Sequence, residues 1–251
     1  QQEGALRILQ ELDGRALLAD EVGLGKTITA GMVLKECIVR GFVRRALILT
    51  PPSLVNQWKE ELSTKFELDF KEINQKNEWE NTELAIASID KVKNFNSKTN
   101  EFKHTEAHEI YWDIIIIDEA HKLKDKKTFR WRFIDKLQKK RLLLLTATPF
   151  QNDLIELYNL LSLLRRGHLG TISEFRSNFL INGNERQPLN PDELKRKLSE
   201  VMIRRRRDEA KGIKYMKRIP RIQSVDLSWA EKRAYEEVVD LLFMHYLDFN
   251  A

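Results

Sequence analysis

The stretch DEVGLGKT, residues Asp20–Thr27, decides the fold because of the segments on either side of it. An apolar run with strand character, Arg15–Ala19, leads into it, and a segment with helical spacing of apolar residues, Gly25–Arg40, overlaps its end. Gly23 and Gly25 let the backbone curl, so that successive N–H groups converge on phosphate oxygens beside the positive end of that helix. Strand, turn and helix together predict a phosphate-binding loop.

Two side chains at the end of this loop carry the expected chemistry. Lys26 is predicted to reach the β- and γ-phosphates of a nucleotide, and the Thr27 hydroxyl is predicted to hold Mg²⁺. One position departs from the general pattern G-x-x-x-x-G-K-[ST], because Asp20 stands in place of the first glycine. A glycine turn that only opens a helix is therefore the alternative for this segment taken alone.

A second motif follows the run Ile114–Ile117, which is typical of a central parallel strand buried on both faces. The run ends in Asp118-Glu119-Ala120-His121. At the end of a strand beside a phosphate loop, Asp118 can hold Mg²⁺ and Glu119 can orient and deprotonate the attacking water. A polar cap on the strand is the alternative, but two such motifs in this order favour a nucleotidase. No spacing supports a zinc site at His121.

The first half of the chain alternates strand-like and helix-like segments, which predicts an α/β fold with a doubly wound, mostly parallel sheet. Because ligands of such sheets bind beyond the carboxyl ends of the strands, both motifs lie where chemistry is expected. The predicted strands are Arg15–Ala19, Arg45–Thr50, Glu83–Ser88, Trp112–Ile117 and Arg141–Thr146, and the predicted helices are Gly25–Arg40, Ser53–Phe66 and Thr128–Lys139. The polar stretch Asn94–His108 is interpreted as a loop, and Lys139-Lys140-Arg141 as an exposed helix end.

After Asn152 the pattern becomes helical. We therefore expect a nucleotide-binding lobe over residues 1–153 and a helical appendage over 154–251. A short strand near 222–227 is expected to return toward the sheet. The predicted helices of the appendage are Leu154–Leu164, Ile172–Leu180, Asp192–Met202 and Ala230–Leu247.

Composition restricts the class of protein. A chain of 251 residues with 42% hydrophobic content can bury a substantial core, and its net charge of +5 permits a polyanionic partner. No apolar run approaches the roughly 18 residues of a membrane span, and no secretory signal begins the chain. Cys37 is the single cysteine and is expected to be a buried thiol. A soluble, monomeric, cytoplasmic protein is expected, associated with the nucleoid in a bacterium or nuclear in a eukaryote.

Taken together, the motifs resemble the Swi/Snf-type ATPases of helicase superfamily two, a group that includes chromatin remodellers and the bacterial RNA-polymerase-associated ATPase. The likeness rests on DEVGLGKT (Asp20–Thr27), LILTPPSLVNQW (Leu47–Trp58), IIIIDEAH (Ile114–His121), LLLLTATPFQND (Leu142–Asp153) and, more weakly, IRRRRDE (Ile203–Glu209) and the segment Ile219–Val238. Asp-Glu before the phosphate turn is usual in this family, which accounts for the missing glycine.

The resemblance implies a RecA-like lobe that binds ATP with Mg²⁺. Gln1 falls where the family has an adenine-contacting glutamine. His121, Thr146 and Thr148 match positions that link the nucleotide site to nucleic acid and to a second lobe. The implied nucleotide-binding residues are Gln1, Asp20, Glu21, Val22, Gly23, Leu24, Gly25, Lys26 and Thr27, with Lys26, Asp118 and Glu119 as catalytic residues and Thr27 and Asp118 as metal ligands.

Double-stranded DNA is the implied track, since the Pro-Pro-Ser-Leu-Val-x-Gln-Trp segment differs from that of RNA-dependent DEAD-box proteins. RNA polymerase or another protein is a further possible partner. The second RecA-like lobe, which supplies an arginine to the transferring phosphoryl group, is absent from these residues. The chain alone is therefore expected to bind nucleotide and to hydrolyse it very slowly.

Four residues are candidate DNA contacts. Ser53 and Ser88 follow strands, where backbone N–H groups can receive a phosphate, although plain helix capping explains them equally well. Arg204 and Arg205 belong to the densest basic cluster, Arg204–Arg207 with Lys211, for which a solvated helix face or a contact to the second lobe competes with DNA. Trp58 is assigned a packing role and no contact with DNA.

Two rival functions stay open. An RNA or single-strand helicase keeps the fold and changes the substrate, and salt-dependent competition binding distinguishes it. A non-catalytic nucleotide-sensing scaffold would have no need of a water-activating carboxylate, so the presence of Glu119 disfavours it.

Overall fold

Seven parallel strands form the sheet on which the chain is built. The computed structural model describes residues 1–99, 101–149, 153–181, 184–205 and 224–248. In these ranges the strands are β1 (Arg15–Leu18), β2 (Ala46–Thr50), β3 (Lys71–Glu72), β4 (Leu84–Ser88), β5 (Phe95–Asn96), β6 (Glu101–Phe102), β7 (Tyr111–Ile117), β8 (Gln138–Leu145), β9 (Leu180–Ile181), β10 (Asn184–Pro188) and β11 (Met202–Ile203).

The order of strands across the sheet is β11-β1-β8-β7-β2-β4-β3. Leu18 at the end of β1 pairs with Leu145 of β8, and Ile117 at the end of β7 pairs with Leu144 of β8. The segments that follow β1 and β7 therefore leave the same edge of the sheet, separated by one strand. This register brings the phosphate turn and the acidic motif to the same edge.

Helices cover both faces of the sheet, as a doubly wound fold requires. They are α1 (Gln2–Gln10), α2 (Lys26–Val39), α3 (Val55–Phe66), α4 (Ile89–Val92), α5 (Glu106–Glu109), α6 (Phe129–Lys136), α7 (Leu154–Leu164), α8 (Ile172–Phe179) and α9 (Pro191–Ser199). One more helix, α10 (Trp229–Asp248), follows later in the chain. Apolar side chains of α1, α2 and α3 share one core cluster, and those of α6, α7 and α8 share the other.

Strand β7 supplies both clusters in alternation. Ile115 and Ile117 belong to the cluster under α6 and α7, whereas Ile114 and Ile116 belong to the cluster under α2 and α3. All four side chains are fully buried. The prediction of a central strand buried on both faces is confirmed, and so is the predicted α/β class with a parallel sheet.

The later helices join the same body of structure, because α7, α8 and α9 contribute apolar side chains to the core cluster beside α6. Strand β11 extends the sheet at its edge, where Met202 and Ile203 pair with Leu17 and Leu18. The chain consists of two compact units, Gln1–Lys211 and Gly212–Ala251.

Within that second unit, α10 begins after Ser228, whose Oγ accepts a hydrogen bond from the Glu231 N–H, while Glu231 accepts from the Ser228 N–H and hydroxyl. This reciprocal capping box stabilises the start of the helix. Residues 224–227 contain no strand, and 222 and 223 lie outside the described residues, as do 206–209 of the basic segment.

Three details of the sequence interpretation were wrong. Asn94–His108 is not a plain loop, because β5 and β6 form an antiparallel hairpin there and α5 follows. The predicted helix over Asp192–Met202 ends at Ser199, since Met202 belongs to β11. The predicted helix over Thr128–Lys139 ends at Lys136, and β8 begins at Gln138.

Lys139 is consequently a strand residue and not an exposed helix end. Its Nζ donates to the carbonyl oxygens of Ile134 and Leu137, at 2.8 and 2.9 Å, which lie at the end of α6. Burial of the ammonium group lowers the pKa of Lys139 from 10.5 to about 8.

No helix in the described part of the chain is long and apolar enough to cross a membrane. Cys37 is a buried free thiol, as expected.

The lowered pKa of Lys139 predicts a dependence of stability on pH. Between pH 8 and 10.5 the unfolded chain, with its ordinary lysine pKa, binds more protons than the folded chain, so raising the pH favours folding. In Lys139→Met this contribution is absent. The free energy of unfolding of the wild type relative to this variant should rise across that window by about 3 kcal/mol at most, measured by urea unfolding. Lys140→Met, which changes the exposed neighbour, is the control, and the free energy of unfolding of the wild type relative to it should stay constant across this window. A rise of similar size in that comparison would contradict the assignment of the effect to Lys139.

Candidate nucleotide site

Two glycines and one glutamine shape the turn between β1 and α2. Gly23 and Gly25 have φ values of 83° and 76°, in the left-handed region that other residues rarely adopt. The Nε2 of Gln1 donates to the carbonyl of Leu24 at 3.3 Å, and a Cβ on Gly25 would lie 2.2 Å from the same nitrogen. The turn therefore needs glycine for its backbone conformation, and a side chain at position 25 would displace the Gln1 amide.

Lys26 is the first residue of α2, and its side chain folds back over the turn. Its Nζ donates to the carbonyl oxygen of Asp20 at 2.9 Å and lies 3.5 Å from that of Glu21. Burial lowers the pKa of Lys26, and the negative charges of Asp118, Asp20 and Glu119 oppose that effect. The ammonium group thus lies within the electrostatic reach of the acidic motif across β8.

Asp118 receives a hydrogen bond on each carboxylate oxygen. Trp58 Nε1 donates to Oδ2 at 2.8 Å, and the Glu119 backbone N–H donates to Oδ1 at 2.8 Å. Burial raises the pKa of Asp118, while these two hydrogen bonds and the charge of Lys26 oppose the rise. A carboxylate fixed in this way is oriented before any ligand arrives.

Glu119 begins the turn that leaves β7, with a left-handed φ of 51°. Its Oε2 lies 3.0 Å from His121 Nδ1, and the same ring nitrogen lies 3.4 Å from Thr146 Oγ1 at the end of β8. The Thr148 N–H donates to Thr146 Oγ1 at 3.2 Å. Polar contacts therefore run from the acidic motif to the segment after β8, the residues predicted to couple the sites.

The donor set suits Mg²⁺. The Thr27 hydroxyl and the Asp118 carboxylate supply the oxygen ligands that this ion prefers, and each carboxylate oxygen retains a free lone pair beside its hydrogen bond. Across the described ranges there is no cluster of three or more His, Cys, Asp or Glu side chains able to hold a metal. Mg²⁺ usually takes one or two protein oxygens and completes its shell with phosphate and water, so a small donor set fits.

The side chain of Asp20 is directed into the lobe, although the residue lies in the predicted nucleotide-binding loop. Its side chain is fully buried and accepts hydrogen bonds from Arg205, including one from the Arg205 backbone N–H at 2.8 Å. Arg205, expected on a DNA-binding surface, is thereby engaged inside the lobe. Arg204 beside it is exposed.

The remaining residues are two candidate DNA contacts, Ser53 and Ser88, and two histidines that were rejected as zinc ligands. Ser53 is exposed in a 3-10 turn, Pro52–Leu54, just before α3, whereas Ser88 is buried and its Oγ lacks a partner within the described part of the chain. His104 accepts a hydrogen bond from Trp79, and His108 lies 3.1 Å from the Phe133 carbonyl. Both histidines pack with aromatic rings.

Sequence reasoning missed two contacts in this site. Trp58 was predicted to pack, and it does, but its indole N–H also binds Asp118. The pairing of Arg205 with Asp20 joins residues 185 positions apart. A fully buried indole whose N–H needs an acceptor was a usable signal for the first contact, and no local pattern announces the second.

Comparisons with known proteins show which family the chain belongs to. The family model for the SNF2-related domain matches residues 1–250. YqhH of Bacillus subtilis, named an uncharacterized ATP-dependent helicase, is 41% identical over 240 residues, which are 95% of this chain and 41% of that protein. The RNA polymerase-associated protein RapA of Actinobacillus pleuropneumoniae is 38% identical over 169 residues, 59% of this chain and 17% of RapA.

Solved structures show the same architecture. The SWI2/SNF2 ATPase core of Sulfolobus solfataricus in complex with dsDNA superposes with a TM-score of 0.69 and 27% identity, covering 81% of this chain and 43% of that one. The chain thus spans less than half the length of YqhH and of this core. Since the family model covers nearly all of it, the chain belongs to the SNF2-related domain family, and its parallel sheet has the RecA-like α/β fold of the SWI2/SNF2 ATPase core.

Proposed function

We propose that the chain is the ATP-binding lobe of a motor that moves along double-stranded DNA and hydrolyses ATP to ADP and phosphate. The observation that carries this proposal is the parallel register of β1, β8 and β7, which places Lys26 and Asp118 after strands that end at the same edge of the sheet, where their charges influence each other. A phosphate-binding cation beside a carboxylate is the arrangement that nucleotide hydrolysis needs.

Each group would have a separate task. Lys26 would leave the carbonyl of Asp20 for the β- and γ-phosphates, and the N–H groups of the turn would surround the phosphate oxygens. Thr27 and Asp118 would hold Mg²⁺, which neutralises charge on the phosphates when bound. Glu119 would accept a proton from the attacking water, with His121 beside it to orient the carboxylate.

A second RecA-like lobe would complete the motor and supply an arginine to the transferring phosphoryl group. DNA is the favoured track because the Sulfolobus core was solved in complex with dsDNA, and an RNA polymerase partner is suggested by the name of RapA. We further propose that the protein is a monomer and that it acts in the cellular compartment that contains the DNA. Ser53 and Arg204 are exposed and stay candidate phosphate contacts.

The first test concerns the phosphate turn. Lys26→Ala removes the cation that the turn holds over its carbonyls, so ADP and ATP affinity measured by calorimetry should fall below detection. Lys35→Ala, on the same helix and paired with Glu67 at the surface, should bind nucleotide like the wild type. Unchanged affinity in Lys26→Ala would refute the nucleotide site.

The second test concerns the acidic motif. In a version that includes the second lobe, Glu119→Gln keeps the shape of the side chain and loses its basicity, so ATP should still bind while the rate constant for hydrolysis falls by at least about 100-fold. Glu83→Gln, which changes an exposed carboxylate paired with Arg44, should leave that rate unchanged. Hydrolysis at the wild-type rate in Glu119→Gln would remove this residue from the mechanism.

The third test concerns the track. Competition binding with duplex DNA, single strands and RNA, repeated across salt concentrations with both lobes present, should give the tightest binding to duplex DNA, and affinity should fall as salt rises. Preference for RNA or single strands would replace the translocase with a helicase.

A further inference from the structure

Arg205 and Asp20 form an ion pair inside the lobe, directly behind the phosphate turn. Asp20 is fully buried, and it accepts hydrogen bonds from the Arg205 backbone N–H at 2.8 Å, from Nε at 3.0 Å and from the second terminal nitrogen of the guanidinium. Because a buried carboxylate is strongly unfavourable without a partner, the position of Asp20 depends on Arg205.

The backbone reinforces this pair. Parallel pairing of β11 with β1 continues beyond both strands, since the N–H groups of Leu17, Ala19 and Glu21 donate to the carbonyl oxygens of Val201, Ile203 and Arg205 at 2.8, 2.7 and 3.2 Å. Residues 201–205 therefore run beside the start of the phosphate turn and fix its first peptide groups.

Those peptide groups are the ones that hold Lys26. Its Nζ donates to the Asp20 carbonyl, while the carboxylate of the same residue is bound by Arg205. Asp20 thus joins two cations, one through its main chain and one through its side chain. A change in the position of Arg205 is transmitted to Lys26 through a single residue.

The guanidinium also contacts the helices on either side of the turn. Its second terminal nitrogen lies 3.3 Å from Thr29 Oγ1 in α2. A Cβ placed on Gly4 in α1 would lie 3.3 Å from the first terminal nitrogen, so glycine permits the close approach of α1. Arg205 thus lies beside the phosphate turn, beside α2 and beside α1, the helix that Gln1 precedes.

We propose that Arg205 is a positioning residue for nucleotide binding, which holds the phosphate turn through Asp20 and couples nucleotide occupancy to the pairing of residues 201–205 with β1. This rests on the proposed ATP site. Coupling of this kind is reciprocal: whatever displaces residues 201–205 from β1 weakens nucleotide binding, and bound nucleotide strengthens the attachment of residues 201–205 to β1.

The test compares two arginine variants of the full chain. Arg205→Met should weaken ADP binding by roughly 5- to 150-fold, the usual range for energetic coupling between sites, as measured by isothermal titration calorimetry. Arg130→Met is the control, since Arg130 is paired with Asp90 and its side chain is 29% exposed against 28% for Arg205, although Asp90 is 33% exposed whereas Asp20 is fully buried. That control should alter thermal stability while ADP affinity stays within twofold of the wild type.

A further pair of variants separates positioning from folding. Asp20→Asn combined with Arg205→Met removes the unpaired buried charge, so the melting temperature should recover relative to Arg205→Met alone while ADP affinity stays low. Arg205→Lys keeps the charge and loses the paired N–H geometry, so its affinity should be intermediate. Wild-type ADP affinity in any folded variant that lacks Arg205 overturns the proposal.

Hydrogen exchange gives a local readout when it is compared with a reference amide at the other side of the sheet, Ile73, whose N–H donates to the Ile86 carbonyl. In the wild type, ADP should slow exchange at Leu17, Ala19 and Glu21 more than at Ile73, and in Arg205→Met saturating ADP should slow these amides no more than Ile73. Slowing of the same size in both proteins overturns the proposal. If the wild type binds no ADP, the proposed function itself fails, which is a different outcome from equal binding by the wild type and the variant.

Discussion

Parallel register across three strands is the constraint on which the rest of the structure depends. Because β1, β8 and β7 are aligned with their carboxyl ends together, a cation after the first strand and a carboxylate after the third come within electrostatic reach. Buried isoleucines and leucines on both faces hold that alignment, since a one-residue slip would turn every side chain to the opposite face. The chemistry at the edge is therefore maintained by packing in the interior.

Burial acts in opposite directions on the two principal groups of the site. It favours the uncharged form of both Lys26 and Asp118, so it lowers the pKa of one and raises the pKa of the other, while the attraction between the charges opposes both effects. Without a ligand, Lys26 is bound to two peptide carbonyls and Asp118 to an indole and a peptide N–H. These contacts hold both side chains in place. In the proposed complex, phosphate would replace the carbonyl contacts of Lys26, and a metal ion would bind beside the hydrogen bonds of Asp118.

The sequence predicted what local pattern controls and missed what distant segments create. The glycine turn and the isoleucine strand are local, so their positions and their common edge followed from spacing and from the rule for parallel sheets. The hairpin β5–β6 was missed because polar, two-residue strands carry little periodicity. Lys139 was misplaced because one leucine, Leu137, separates α6 from β8. The Arg205 pairing depends on a strand of two residues that only tertiary contacts define.

Strand β11 is two residues long, yet it lies outside β1 at the margin of the sheet. Were it to detach, β1 would become the outermost strand, with a row of apolar residues and unsatisfied peptide groups facing solvent. An exposed edge strand of this kind can pair with a strand of another chain, and the phosphate turn follows directly after it. Residues 201–205 therefore hold the loop and, through β11, also cover the edge of β1 against pairing with another chain.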